Sequence, residues 1–218
     1  MCIRDSPYLD LQHNYHTMAV ASSHRWATGK GVRVAIIDTG ADLSHEDLKG
    51  QFGKSKNFVD TNQNTFNRDV HGTAIAGVIA ARTDNGKGMT GIAPNASLWP
   101  LKACWSAEPG ELSAQCSTFT LAKAINFAVR NEADIINLSL AGPADALLER
   151  LVQQALKRDI TVVAAVGTAP NHSFPASVEG VIAVAQSESK GQEPTHLKIM
   201  GDKILSTSPG NELSLIHI

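Results

Sequence analysis

From Gly31 onward, short β-rich apolar runs alternate with small-residue or amphipathic helical runs, the signature of a parallel sheet covered by helices. Val32 to Ile37 is apolar except for Arg33, as expected of a strand buried on both faces, and it ends at the turn signal Asp38-Thr39-Gly40. His71 to Ala81, rich in Ala, Gly, Ile and Val, predicts a helix packed closely against the sheet. Leu121, Ile125, Ala128 and Val129 recur at helical spacing, as do Leu147, Leu148, Leu151, Val152, Ala155 and Leu156. Strands are predicted at Leu98 to Ala103, Ile135 to Leu140, Thr161 to Val166 and Val181 to Ala185, with a short candidate at Leu197 to Met200. The order βαβαβ gives the fold class: a three-layer α/β/α domain with a mostly parallel sheet.

With 218 residues the chain is long enough for one such domain and short for two. Its formal net charge is −2 and its Lys and Arg residues are scattered, so nothing is built to neutralise a phosphate backbone and nucleic acid is not an expected partner. No run of 18 apolar residues occurs, which speaks against a membrane span, and the first residues lack the pattern of a signal peptide. Residues 1–6 and 212–218 fit neither flanking pattern and read as non-native tails, leaving 7–211 as a partial domain. Of the three cysteines, Cys2, Cys104 and Cys116, one is left over whichever pair forms.

In an open parallel sheet, catalytic groups gather beyond the carboxyl ends of the strands, where Asp38 is placed. A carboxylate there is useful if it orients an imidazole, and His71 opens the next small-residue helix. The positive end of that helix disfavours a charged imidazole, which suits a neutral base. Asp-Thr-Gly after an apolar run also occurs in aspartic proteases, but those folds are all-β and need a second carboxylate, and no second Asp-Thr-Gly occurs here. The bland alternative makes Asp38 a turn residue only. His13, His16, His24, His45, His172, His196 and His217 belong to no His-Glu-x-x-His helix, so no metal site is assigned to them.

Ala35-Ile36-Ile37-Asp38-Thr39-Gly40, Ser44-His45-Glu46-Asp47-Leu48, His71-Gly72-Thr73, Gly91-Ile92-Ala93-Pro94 and Ile136-Asn137-Leu138-Ser139-Leu140 follow one another in an order and spacing that resemble the subtilisin-like serine proteases. Val163-Ala164-Ala165-Val166-Gly167, Phe174-Pro175-Ala176 and Ser206-Thr207-Ser208-Pro209-Gly210 extend the resemblance over roughly residues 7–211. It implies a serine endopeptidase acting on polypeptides, with Asp38 orienting the general base His71 and Ser139, Leu140 and Ala141 aligning the extended substrate. Ala141 stands where the family usually has Gly, and its methyl narrows the primary pocket. Thr168 stands where an oxyanion-binding Asn is usual. The Gly-Thr-Ser-Met-Ala-like segment that carries the nucleophile has no match after Pro209-Gly210, since Ser214 lacks that context. The fragment is therefore expected to be inactive as it stands, and a pseudoprotease or peptide-binding module is the non-enzyme alternative.

The resemblance also implies a secreted or periplasmic monomer without an organic cofactor, and a polar loop in an exported protein favours a Cys104–Cys116 disulfide. Asp47 matches a calcium-ligand position of some members, with Asp84-Asn85-Gly86 in the loop that completes the site. That loop differs in length, so a solvated turn stands beside calcium as its reading.

Overall fold

The computed structural model describes residues 6–108, 110–167, 173–187 and 197–216. Cys2, Thr168, Asn171, His172, His196 and His217 lie outside these residues. In chain order the strands are β1 (Arg33–Asp38), β2 (Lys56–Asn57), β3 (Ser97–Lys102), β4 (Cys104–Trp105), β5 (Gln115–Cys116), β6 (Ile135–Leu138), β7 (Thr161–Ala165), β8 (Ile182–Gln186), β9 (Leu197–Ile199), β10 (Ile204–Ser208) and β11 (Glu212–Ile216). The α-helices are α1 (His13–Thr17), α2 (Val20–Ser23), α3 (Val70–Ala80), α4 (Thr118–Arg130) and α5 (Ala146–Leu156).

Seven strands form one sheet in the order β2-β3-β1-β6-β7-β8-β9, and every pairing in it is parallel. The chain runs from β1 through α3 to β3 on one side, then through α4 to β6 on the other. The strand order thus reverses at the carboxyl end of β1, where a crevice opens in sheets of this kind. Asp38 is the last residue of β1.

The two faces of the sheet are covered unequally. On one, Ala35, Ile136, Val162 and Ala164 share a buried core with Leu121, Ile125, Leu148 and Val152 of α4 and α5. On the other, Val34, Ile36 and Leu98 pack on Ile75, Ala76 and Ala80 of α3. Farther along that second face Ile135, Val163 and Val184 are only half-buried, and Ile182 is 39% exposed. The antiparallel hairpin β10–β11 lies on α3, where Ser206 Oγ donates to Ala74 O at 2.5 Å and Thr207 Oγ1 to Thr73 O at 2.7 Å. A Cβ on Gly77 would stand 2.3 Å from Thr207 Oγ1, so only glycine allows this approach.

Helix ends are set by local chemistry. Ser117 caps α4 in a reciprocal arrangement with Thr120, and Asp145 caps α5 by accepting from the Leu147 and Leu148 amides. The strand expected to run from Ile135 to Leu140 ends at Leu138. The Asn137 side-chain Nδ2 donates to Ser139 Oγ at 2.9 Å, and beyond the strand Gly142 pairs with Phe174 instead. No helix among the described residues is long and apolar enough to cross a membrane.

Candidate active site

Asp38 is 4% exposed at the end of β1, and His71 is the second residue of α3. The imidazole Nδ1 lies 2.9 Å from both Asp38 carboxylate oxygens. An Nδ1–H donated to that carboxylate fixes the tautomer and leaves Nε2 as the basic nitrogen. The Thr39 amide donates to Asp38 Oδ1 at 2.7 Å, and the Gly72 amide donates to Thr39 Oγ1 at 3.0 Å, so turn and helix start are stitched together. A Cβ on Gly72 would stand 1.9 Å from Gly40 O, and Gly40 has φ +99°. The glycines of Asp-Thr-Gly and His-Gly-Thr are thus what lets strand end and helix start touch.

The Asp38 charge raises the His71 pKa above the ordinary imidazole value; burial opposes the rise and the hydrogen bond to Asp38 adds to it. The helix start alone argues for the opposite direction, and the carboxylate outweighs it.

A cavity of about 410 Å³ opens beside the pair. Ser139, Leu140 and Ala141 line it, and so do both cysteines of the Cys104–Cys116 disulfide. That disulfide joins directly paired residues of β4 and β5, with Cα atoms 4.3 Å apart. Leu112 and Ala114, from the segment between those strands, line the cavity too. They carry no chemical motif and only their spatial neighbours reveal them.

The Asp47 carboxylate accepts from Asn85 Nδ2 at 2.7 Å and from the Met89 amide at 2.8 Å, while Asn85 Oδ1 accepts from the Lys87 amide at 3.0 Å. These contacts fold the Asp84-Asn85-Gly86 loop back onto Asp47, and each carboxylate oxygen keeps acceptor capacity beyond its one protein donor. Among the described residues no group of three or more His, Cys, Asp or Glu side chains could hold a metal. His45 is buried with both ring nitrogens engaged, by the Asp47 amide and Glu212 O.

Beneath the pair lie two charged residues that the motifs do not mark. Lys102, on β3, is 1% exposed and Asp69, the residue before α3, is 0% exposed. The signal available in the sequence is a lysine inside the apolar run from Leu98 to Ala103.

The Subtilase family profile matches residues 29–208. The chain belongs to the subtilase family. This subtilase is 37% identical over 216 residues to the major intracellular serine protease of Bacillus subtilis, an alignment covering 88% of the chain and 66% of that protein. It is 36% identical over 204 residues to subtilisin DY of Bacillus licheniformis, covering 87% of the chain and 71% of that protein. It is 33% identical over 220 residues to thermitase of Thermoactinomyces vulgaris, covering 94% and 76%. The subtilase therefore spans between about two thirds and three quarters of the length of these relatives. Asp38, His71 and Ser139 to Ala141 all fall within the matched residues, and Ser214 falls outside them.

Proposed function

We propose that this subtilase supplies the acid–base part of a serine endopeptidase that hydrolyses peptide bonds by acyl transfer, with a nucleophilic serine contributed by natural sequence following Pro209-Gly210. The observation that carries the reading is His71 Nδ1 seated on the Asp38 carboxylate at the edge of a cavity wide enough for a side chain. Nε2 takes the proton of the attacking hydroxyl and returns it to the leaving amine, while Asp38 stabilises the imidazolium between those events. Ser139 to Ala141, just past the end of β6, pair with the extended substrate backbone. Thr168, with a backbone amide or the Asn171 side chain, donates to the oxyanion; this role rests on the resemblance alone.

The methyl of Ala141 favours small or straight side chains at the residue before the cleaved bond over large aromatic ones. The Cys104–Cys116 disulfide favours an oxidising compartment, secreted or periplasmic, although one relative is intracellular by name. The protein works as a monomer and without an organic cofactor.

The test expresses residues 7–211 alone and again with the natural continuation, assaying both on casein with a serine-reactive phosphonate. Hydrolysis sensitive to the phosphonate is expected from the longer form only. The same activity in the short form would overturn the reading, because a serine already present would then be the nucleophile. A continuation without a glycine-flanked serine would favour the peptide-binding alternative, which Thr168 in place of the usual Asn also favours.

A further inference from the structure

Lys102 heads the largest fully buried side chains among the described residues, and its ammonium group has specific partners. Nζ lies 2.5 Å from Asp69 Oδ2 and donates to Thr39 O at 2.6 Å. Lys102 stands opposite Asp38 in the β1–β3 register. Thr39 follows Asp38, and Asp69 precedes His71 by two residues. One ammonium group therefore grips both the turn that carries the carboxylate and the segment that delivers the imidazole. Asp69 is fixed in turn: Arg68 Nε lies 3.3 Å from its Oδ1, and its carbonyl accepts from Thr73 Oγ1 at 3.3 Å, inside α3.

A fully buried ion pair is weak evidence for stability. Two fully buried charges lose their hydration, and apolar residues of similar volume commonly serve as well or better. What an apolar pair cannot do is hold a carbonyl and a carboxylate at one point. We propose that the Lys102–Asp69 ion pair is a positioning device for catalysis, setting the Asp38–His71 distance by tying the end of β1 to the start of α3; this builds on the endopeptidase reading above. The imidazole faces the Asp38 charge from β1; Lys102 from β3 pairs with Asp69, which Arg68 also meets, and Asp145 before α5 lines the same cavity as His71.

The decisive variant is Lys102→Met combined with Asp69→Asn, which removes both charges together and leaves neither buried alone. In the 218-residue chain, proton NMR follows the His71 Nδ1–H, a signal that persists only while Asp38 shields it from exchange. In the serine-bearing form, steady-state kinetics separate kcat from KM. The double variant is expected to keep its circular dichroism spectrum, to lose or broaden the Nδ1–H signal, and to lower kcat by about 10- to 100-fold with KM little changed, as for a misplaced catalytic group. A folded double variant with an unchanged signal and unchanged kcat would overturn the proposal. So would loss of fold, because the pair would then serve folding rather than the diad. If the serine-bearing form proves inactive, the endopeptidase reading fails, and the Nδ1–H signal still decides this one.

Discussion

His71 is pulled in two directions, and the winner sets its pH behaviour. The Asp38 charge raises its pKa, burial lowers it, and the net direction is upward. A group whose pKa is higher in the folded state than in the unfolded one stabilises the fold fully below the unfolded value, about 6.5 for histidine. That contribution is lost as pH rises through the folded value. On the proposed endopeptidase reading catalysis runs the other way, since His71 would accept a proton only when neutral. In the serine-bearing form the acid limb of kcat/KM should therefore lie above pH 6.5, and Asp38→Asn should move it down while lowering kcat about 10⁴-fold. An acid limb at or below 6.5 in the unsubstituted enzyme would contradict this order of effects. Thr168→Asn, restoring the usual donor, should raise kcat by up to about 100-fold if this position is a weakened oxyanion donor. At this scale Asp38 and His71 were legible because each sits in a motif whose glycines the close contact requires. Lys102 was not, since a lysine in a strand reads as a solvated side chain until its partners are known.

Among the elements, the β4–β5 hairpin has the most testable role, because its disulfide both closes a loop and walls the cavity. The cysteines are 12 residues apart, a loop whose closure is worth about 2 to 3 kcal/mol. Cys104→Ser with Cys116→Ser should lower stability to denaturant by about that amount and, in the serine-bearing form, raise KM more than it lowers kcat. An unchanged KM would separate the hairpin from substrate binding. Helices α4 and α5 were readable from periodicity, and Leu121, Ile125, Leu148 and Val152 are buried where that spacing puts them. The hairpin was not, because strands of two residues are too short to show alternation. The early end of β6 was hidden for another reason. Ser139 and Leu140 continue the strand-like alternation of Asn137 and Leu138 while the backbone leaves the ladder to line the cavity.

For the molecule as a whole, the sheet has one finished face and one partly finished. Val162 and Val163 are neighbours in β7 on opposite faces, the first 1% exposed and the second half-buried. Val162→Ala should cost about 2 kcal/mol through the cavity it leaves, whereas Val163→Ala should cost less than about 1 kcal/mol in this chain. Equal losses in urea unfolding would show that the second face is as tightly packed as the first. The alternating pattern revealed the layers and the parallel sheet. It could not reveal this asymmetry, since both faces of β7 are equally apolar in sequence and only the packed neighbours tell them apart.

The hairpin seated on α3 closes far longer loops than the Asp38–His71 contact does. Asp38 and His71 are 33 residues apart, as are Lys102 and Asp69, whereas Ser206 reaches Ala74 across 132 residues and Gly210 reaches Asp42 across 168. Closing a loop four times longer costs about 1.2 kcal/mol more in chain entropy. The contacts of the hairpin with α3 and Asp42 are thus more costly in chain entropy than the Asp38–His71 and Lys102–Asp69 contacts they lie beside.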